Sequence, residues 1–117
     1  MFVIKLSDRE VKLEWGTYAM FLFCEANGEN GKPLPLSGLL DIYDSNTFSL
    51  KHVITMVQAA YKSANDLELS TKEAAQMIDE GGGLSNNDSQ ILAFIKYMNK
   101  NSQPDITEED KGEKKSE

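Results

Sequence analysis

The chain has one cysteine, one histidine, three prolines and fewer basic than acidic residues, and each shortage removes a class of function. A single cysteine, Cys24, cannot form an intramolecular disulfide, and its place inside an apolar run reads as a small buried hydrophobe. His52 has no second imidazole or spare thiolate to share a metal with, so no metal site is expected. Twelve Lys and Arg against nineteen Asp and Glu leave a formal charge of −7, which repels phosphate backbones and argues against nucleic acid as a partner. The start, MFVIKLSDREVK, has no basic segment leading into a long apolar run, so a cytoplasmic protein is expected.

Catalytic patterns are equally scarce. Gly81, Gly82 and Gly83 are followed by Leu84 and Ser85 where a phosphate-binding loop needs Lys and then Ser or Thr. The serines have no nucleophile-elbow setting, and no helix-turn-helix with a basic face is visible. The acidic neighbours Asp41 with Asp44, and Asp79 with Glu80, read as solvated helix surface. The expectation is a protein with no catalytic residues, no cofactor and no membrane segment.

What is present is a pattern of elements for one mainly α domain over residues 1–103, with a hairpin at 1–15, about five helices in a compact bundle over 16–100, and a disordered acidic tail at 104–117. Phe2–Leu6 and Val11–Trp15 read as two strands joined by Ser7–Glu10. Their alternation puts Phe2, Ile4, Leu6, Val11, Leu13 and Trp15 on one apolar face. A lone two-stranded ribbon is marginal in water, so that face must lie on the helices, or the hairpin must pair with a neighbouring subunit's strand.

After Gly16, Thr17 can cap a helix ending at Ala26, closed by Asn27 and Gly28. Residues 28–35 form a loop, and Ser37 opens a short helix to Asp44 with Leu36, Leu39, Leu40 and Tyr43 on one side. The central helix is expected over Phe48–Asn65, capped by Ser49 or Thr47. Its buried side would be Leu50, Val53, Ile54, Val57, Ala60, Tyr61 and Ala64, with Lys51, His52, Thr55, Gln58 and Lys62 opposite. S-T-K-E at 70–73 is a capping box for a helix that ends in the three glycines, read as a flexible joint. Asn87 can cap a last helix with Ile91, Phe94, Ile95 and Met98 as its stripe. The tail carries Asp105, Glu108, Glu109, Asp110, Glu113 and Glu117.

Apolar excess is the feature that points to a function. Tyr18, Ala19, Met20, Phe21, Leu22, Phe23 and Cys24 run unbroken, more than one small domain readily hides, so a partner is expected to cover part of them. Met20, Met56, Met77 and Met98 add adaptable surface or filling. Candidate partner-binding residues are Trp15, Tyr18, Met20, Phe21, Leu22 and Phe23.

The succession of a strand pair ending in E-W-G at 14–16, an apolar helix ending in E-A-N-G at 25–28, a Leu-rich short helix, A-A-Y at 59–61, S-T-K-E-A-A and then I-D-E-G at 78–81 resembles the small tail assembly chaperones of long-tailed bacteriophages and gene transfer agents. The likeness covers about residues 3–82 and lies in hydrophobic spacing more than in signature residues. It implies a helical, self-associating homo-oligomer in the bacterial cytoplasm. Such a protein coats the tape measure protein, keeping its apolar helices soluble until the tail tube protein polymerises around them. The other reading is a small acidic regulatory adaptor or DNA-mimic inhibitor of a host protein, which would need its carboxylates in ordered rows, whereas six of the nineteen lie in the tail.

Overall fold

A computed structural model describes residues 1–102, and the acidic tail expected at 104–117 lies outside the described residues. The elements run β1 Phe2–Lys5, β2 Glu10–Leu13, α1 Thr17–Ala26, α2 Leu36–Ser45, α3 Leu50–Asn65, α4 Thr71–Glu80 and α5 Gln90–Ser102. The architecture is therefore five helices preceded by an antiparallel hairpin, paired Phe2 to Leu13 and Ile4 to Val11. α3 is the centre, since α1, α4 and β2 all pack on it, while α5 lies along β1.

Most of the hairpin's apolar face is covered within this chain, with Phe2 and Leu6 half-buried. Ile4, Val11, Leu13 and Trp15 are buried, and the Phe2 ring lies tilted against Phe94 and Tyr97 of α5, its centroid 5.5 Å from each. Both edges are also tied to helices. On β1, the Lys5 amide donates to Gln90 Oε1 at 2.6 Å and Gln90 Nε2 donates to the Lys5 carbonyl at 2.7 Å. On β2, Asn65 Nδ2 donates to the Lys12 carbonyl at 2.9 Å, and the Glu14 amide donates to the Ala60 carbonyl at 3.1 Å.

Helix boundaries follow local chemistry, with several departures from the sequence reading. Gly16, not Thr17, is the N-cap of α1, and no side chain caps it. Pro35 precedes α2 as its N-cap, which puts Leu36 on the first turn at 60% exposure and off the buried side formed by Leu39 and Tyr43. Ser49 caps α3: its Oγ accepts the His52 amide, and His52 Nδ1 accepts the Ser49 amide, both at 3.1 Å. Thr47 instead shares a 2.6 Å hydrogen bond with Ser45.

The buried face of α3 is rotated from the expected one. Val53, Met56, Val57, Ala59 and Ala60 are buried, whereas Leu50 is 69% exposed at the first turn. Thr55, expected on the polar side, is buried, and its hydroxyl donates to the Lys51 carbonyl at 2.7 Å while accepting from Asn27 Nδ2 at 2.9 Å. That bond fastens the C-terminus of α1 to α3, and a polar residue is admissible there because both its lone pair and its proton are used.

α4 begins in the expected capping box, with Ser70 Oγ accepting the Glu73 amide at 3.0 Å and Glu73 Oε1 accepting the Ser70 amide at 2.9 Å. The glycines after it form a fixed corner and not a loose joint. Gly82 and Gly83 take φ of +116° and +75°, and a Cβ on Gly82 would stand 2.8 Å from Ser89 Cα. The Gln90 amide donates to the Gly81 carbonyl at 2.9 Å. Ser89, not Asn87, opens α5, its Oγ accepting the Ile91 amide at 3.0 Å and donating to the Gly83 carbonyl at 2.6 Å.

Candidate functional site

The exposed part of the apolar run lies on the outer face of α1. An unbroken apolar helix gives no periodicity from which its inner face can be read. Packing decides it: Ala19 and Phe23, one turn apart, are buried toward α3, while Tyr18 is 47% and Phe21 57% exposed. Small Ala19 lets the two helices approach, and Phe23 fills the space between Trp15 (6.0 Å, edge-on) and His52 (5.8 Å).

This sorts the six candidate residues. Trp15 and Phe23 belong to the core, Trp15 because it continues the inward alternation of Val11 and Leu13, and neither presents surface to a partner. Leu22 is half-buried and faces the opposite way, into a recess of about 170 Å³ shared with Ala26, Ala59 and Leu69. Met20 and Phe21 line a cleft of about 420 Å³ together with Thr17, Cys24, Glu25, Pro33, Leu34 and Leu36, and Tyr18 stands beside Phe21 on the same exposed face.

The second wall of the cleft is a tight turn within residues 28–35, and not an irregular loop. Glu29 and Lys32 exchange amide–carbonyl hydrogen bonds, both at 2.9 Å, around Asn30 (φ 55°) and Gly31 (φ 77°). Two successive positive φ values make a type I′ turn, for which Asn-Gly is the strongest short signal, so the sequence did carry the mark. The turn sends the chain back along α1, where the Leu34 amide donates to the Cys24 carbonyl at 2.9 Å. Gly28 permits the return, since a Cβ there would meet the Lys32 carbonyl oxygen at 1.9 Å. Pro33, Leu34 and exposed Leu36 are thereby held against Met20 and Phe21 by backbone bonds.

The cleft is lined mainly by apolar side chains, with Thr17, Cys24 and Glu25 as its polar members. The thiol of Cys24 is pushed above its ordinary range by burial and then by the Glu25 carboxylate, which favours its protonated form. The charges on α1 and α2 are Glu25, Asp41 and Asp44, all acidic. Among the described residues, no group of three His, Cys, Asp or Glu side chains is placed to hold a metal ion, and no helix is long and apolar enough to cross a membrane. Comparison of the chain with protein-family models, with curated proteins and with solved structures returns no significant match in any of the three.

Proposed function

We propose that this protein is a non-catalytic binding protein of the tail assembly chaperone kind, which covers apolar helical segments of a phage tape measure protein during tail assembly in the bacterial cytoplasm. The observation that carries the reading is the cleft between α1 and residues 33–36, with Phe21 and Leu36 both more than half exposed at its rim. A groove lined by Met20, Phe21, Leu34 and Leu36 suits the apolar stripe of an amphipathic helix, whose anchors recur every three or four residues. Methionine at the floor adapts to irregular side chains, which a client of many similar helices requires. The acidic surroundings keep a loaded complex dispersed and disfavour nucleic acid as a competitor. Self-association through the same face, and contact with the tail tube protein, fit the same reading.

Co-expression with a helical tape measure segment tests it. The native chain should hold the segment in the soluble fraction, and Phe21→Asp with Leu36→Asp should release it to the pellet while the variant itself stays folded. Equal rescue by both chains would remove the cleft from the account. A regulatory adaptor acting through its carboxylates would instead lose its partner on neutralising Asp41 and Asp44 and be indifferent to Phe21.

A further inference from the structure

A second recess, separate from the α1 cleft, lies between the outer edge of β2 and α4. It measures about 600 Å³ and is lined by Arg9, Glu10, Val11 and Lys12 on one side, Tyr61, Asn65 and Leu69 at the floor, and Glu73, Gln76, Met77 and Glu80 on the other. Such a volume falls within the ~300–1,000 Å³ typical of ligand sites. The four α4 residues are spaced three and four apart, so one helical face forms the wall.

The hairpin register decides what this wall faces. The Leu6 amide donates to the Arg9 carbonyl at 2.8 Å, so the bonding pairs are Ile4 with Val11 and Phe2 with Leu13. The amides and carbonyls of Lys5, Glu10 and Lys12 therefore point outward. At Lys5 they are taken by Gln90, and the Lys12 carbonyl is taken by Asn65. The Glu10 amide and carbonyl and the Lys12 amide face the recess, with Asn65 marking where the open edge ends. Charge selects the occupant: Arg9 and Glu80 pair with each other at 3.7 Å and Arg9 also with Asp8 at 2.9 Å, which leaves Glu10 and Glu73 against Lys12 alone in the lining.

We propose that the recess between β2 and α4 binds an extended segment of a protein partner, rich in Lys or Arg alternating with apolar residues, by adding it as a third strand to the edge of β2. Along the four residues of β2 such a strand spans about 13 Å. Glu10 exchanges backbone hydrogen bonds with it, and the Lys12 amide adds another. One set of its side chains rests on Tyr61, Leu69 and Met77, and its cations meet Glu10 and Glu73. The mode differs from the helix-in-groove contact at α1 and does not depend on it.

The probe is a seven-residue peptide alternating arginine and valine, titrated into the ¹⁵N-labelled full chain, with the valines replaced by proline in a control that cannot form a strand. Hydrogen exchange at the Glu10 and Lys12 amides should slow about tenfold or more with the first peptide and stay unchanged with the second. Gln76→Arg, an exposed position, puts bulk and positive charge in the recess and should weaken binding about tenfold or more, as should Glu80→Lys if the first variant folds poorly. Binding by both peptides alike would overturn the proposal, as would unchanged exchange at Glu10 and Lys12 or perturbations centred on Phe21. A dependence of the Glu10 and Lys12 signals on protein concentration without peptide would assign the edge to a second copy and overturn it too.

Discussion

Gln90 and Lys5, eighty-five residues apart in the chain, exchange two hydrogen bonds in which the carboxamide of the first stands where a neighbouring strand's peptide group would stand. One side chain thus closes the β1 edge at that point and fixes the start of α5 against the hairpin. Open strand edges invite pairing between molecules, and covering them is a general means of preventing it. Gln90→Ala should lower stability by about 1–3 kcal/mol, from two net hydrogen bonds of ~0.5–1.5 kcal/mol each. It should also raise association through β1, read as a lower urea midpoint and an earlier rise in light scattering.

Phe23 and Phe21, two positions apart on α1, should respond in opposite ways to truncation. Phe23 is fully buried between Trp15 and His52, so Phe23→Ala should cost about 3–5 kcal/mol. Phe21→Ala removes a largely exposed ring and should stay within about 0.5 kcal/mol of the native chain. Paired urea denaturation curves read the contrast directly.

The return loop behind the cleft should be intolerant of side chains at two glycines. Gly28→Ala places a Cβ at 1.9 Å from the Lys32 carbonyl oxygen, and Gly31→Ala strains a residue at φ 77°. Gly31→Ala should cost about 1 kcal/mol and Gly28→Ala more, because the backbone itself must shift. Both should leave the far-ultraviolet signal of the helices intact, and Gly28→Ala should also speed thiol labelling at Cys24 as the Leu34 wall loosens.

Acid should weaken the start of α4. The Ser70 amide and hydroxyl hydrogen-bonded to Glu73 hold its carboxyl below the ordinary range. A carboxyl whose pKa falls on folding adds stability that is complete above its unfolded value and is lost as pH drops through its lower folded value. Helicity should therefore decline on acidification below about pH 4.3, the ordinary glutamate value. Glu73→Gln, which keeps the capping geometry without the charge, should flatten that contribution, and circular dichroism across pH 2–6 checks it.

Regular elements were legible where spacing and caps agreed: the S-T-K-E box, the alternating strands and the centrality of α3 all stand in the structure. Where the sequence is uniform, it is silent. Seven successive apolar residues on α1 conceal that Ala19 and Phe23 turn inward while Tyr18 and Phe21 turn out, because only contact with α3 distinguishes them. Thr55 reads as surface by its polarity, yet the Asn27 amide makes its burial affordable, a pairing across twenty-eight residues that no local window contains. The cleft was half visible: one wall lay in the apolar run, while the other depended on reading Asn30–Gly31 as a tight turn that brings Leu34 back to Cys24.

Nuclear magnetic resonance mapping of a helical peptide from a tape measure protein, added to the labelled full chain, tests the central claim most directly. The account predicts saturable shifts centred on Met20, Phe21, Cys24, Leu34 and Leu36, abolished by Phe21→Asp with Leu36→Asp. Shifts centred elsewhere, or a spectrum unchanged at saturating peptide, would contradict it.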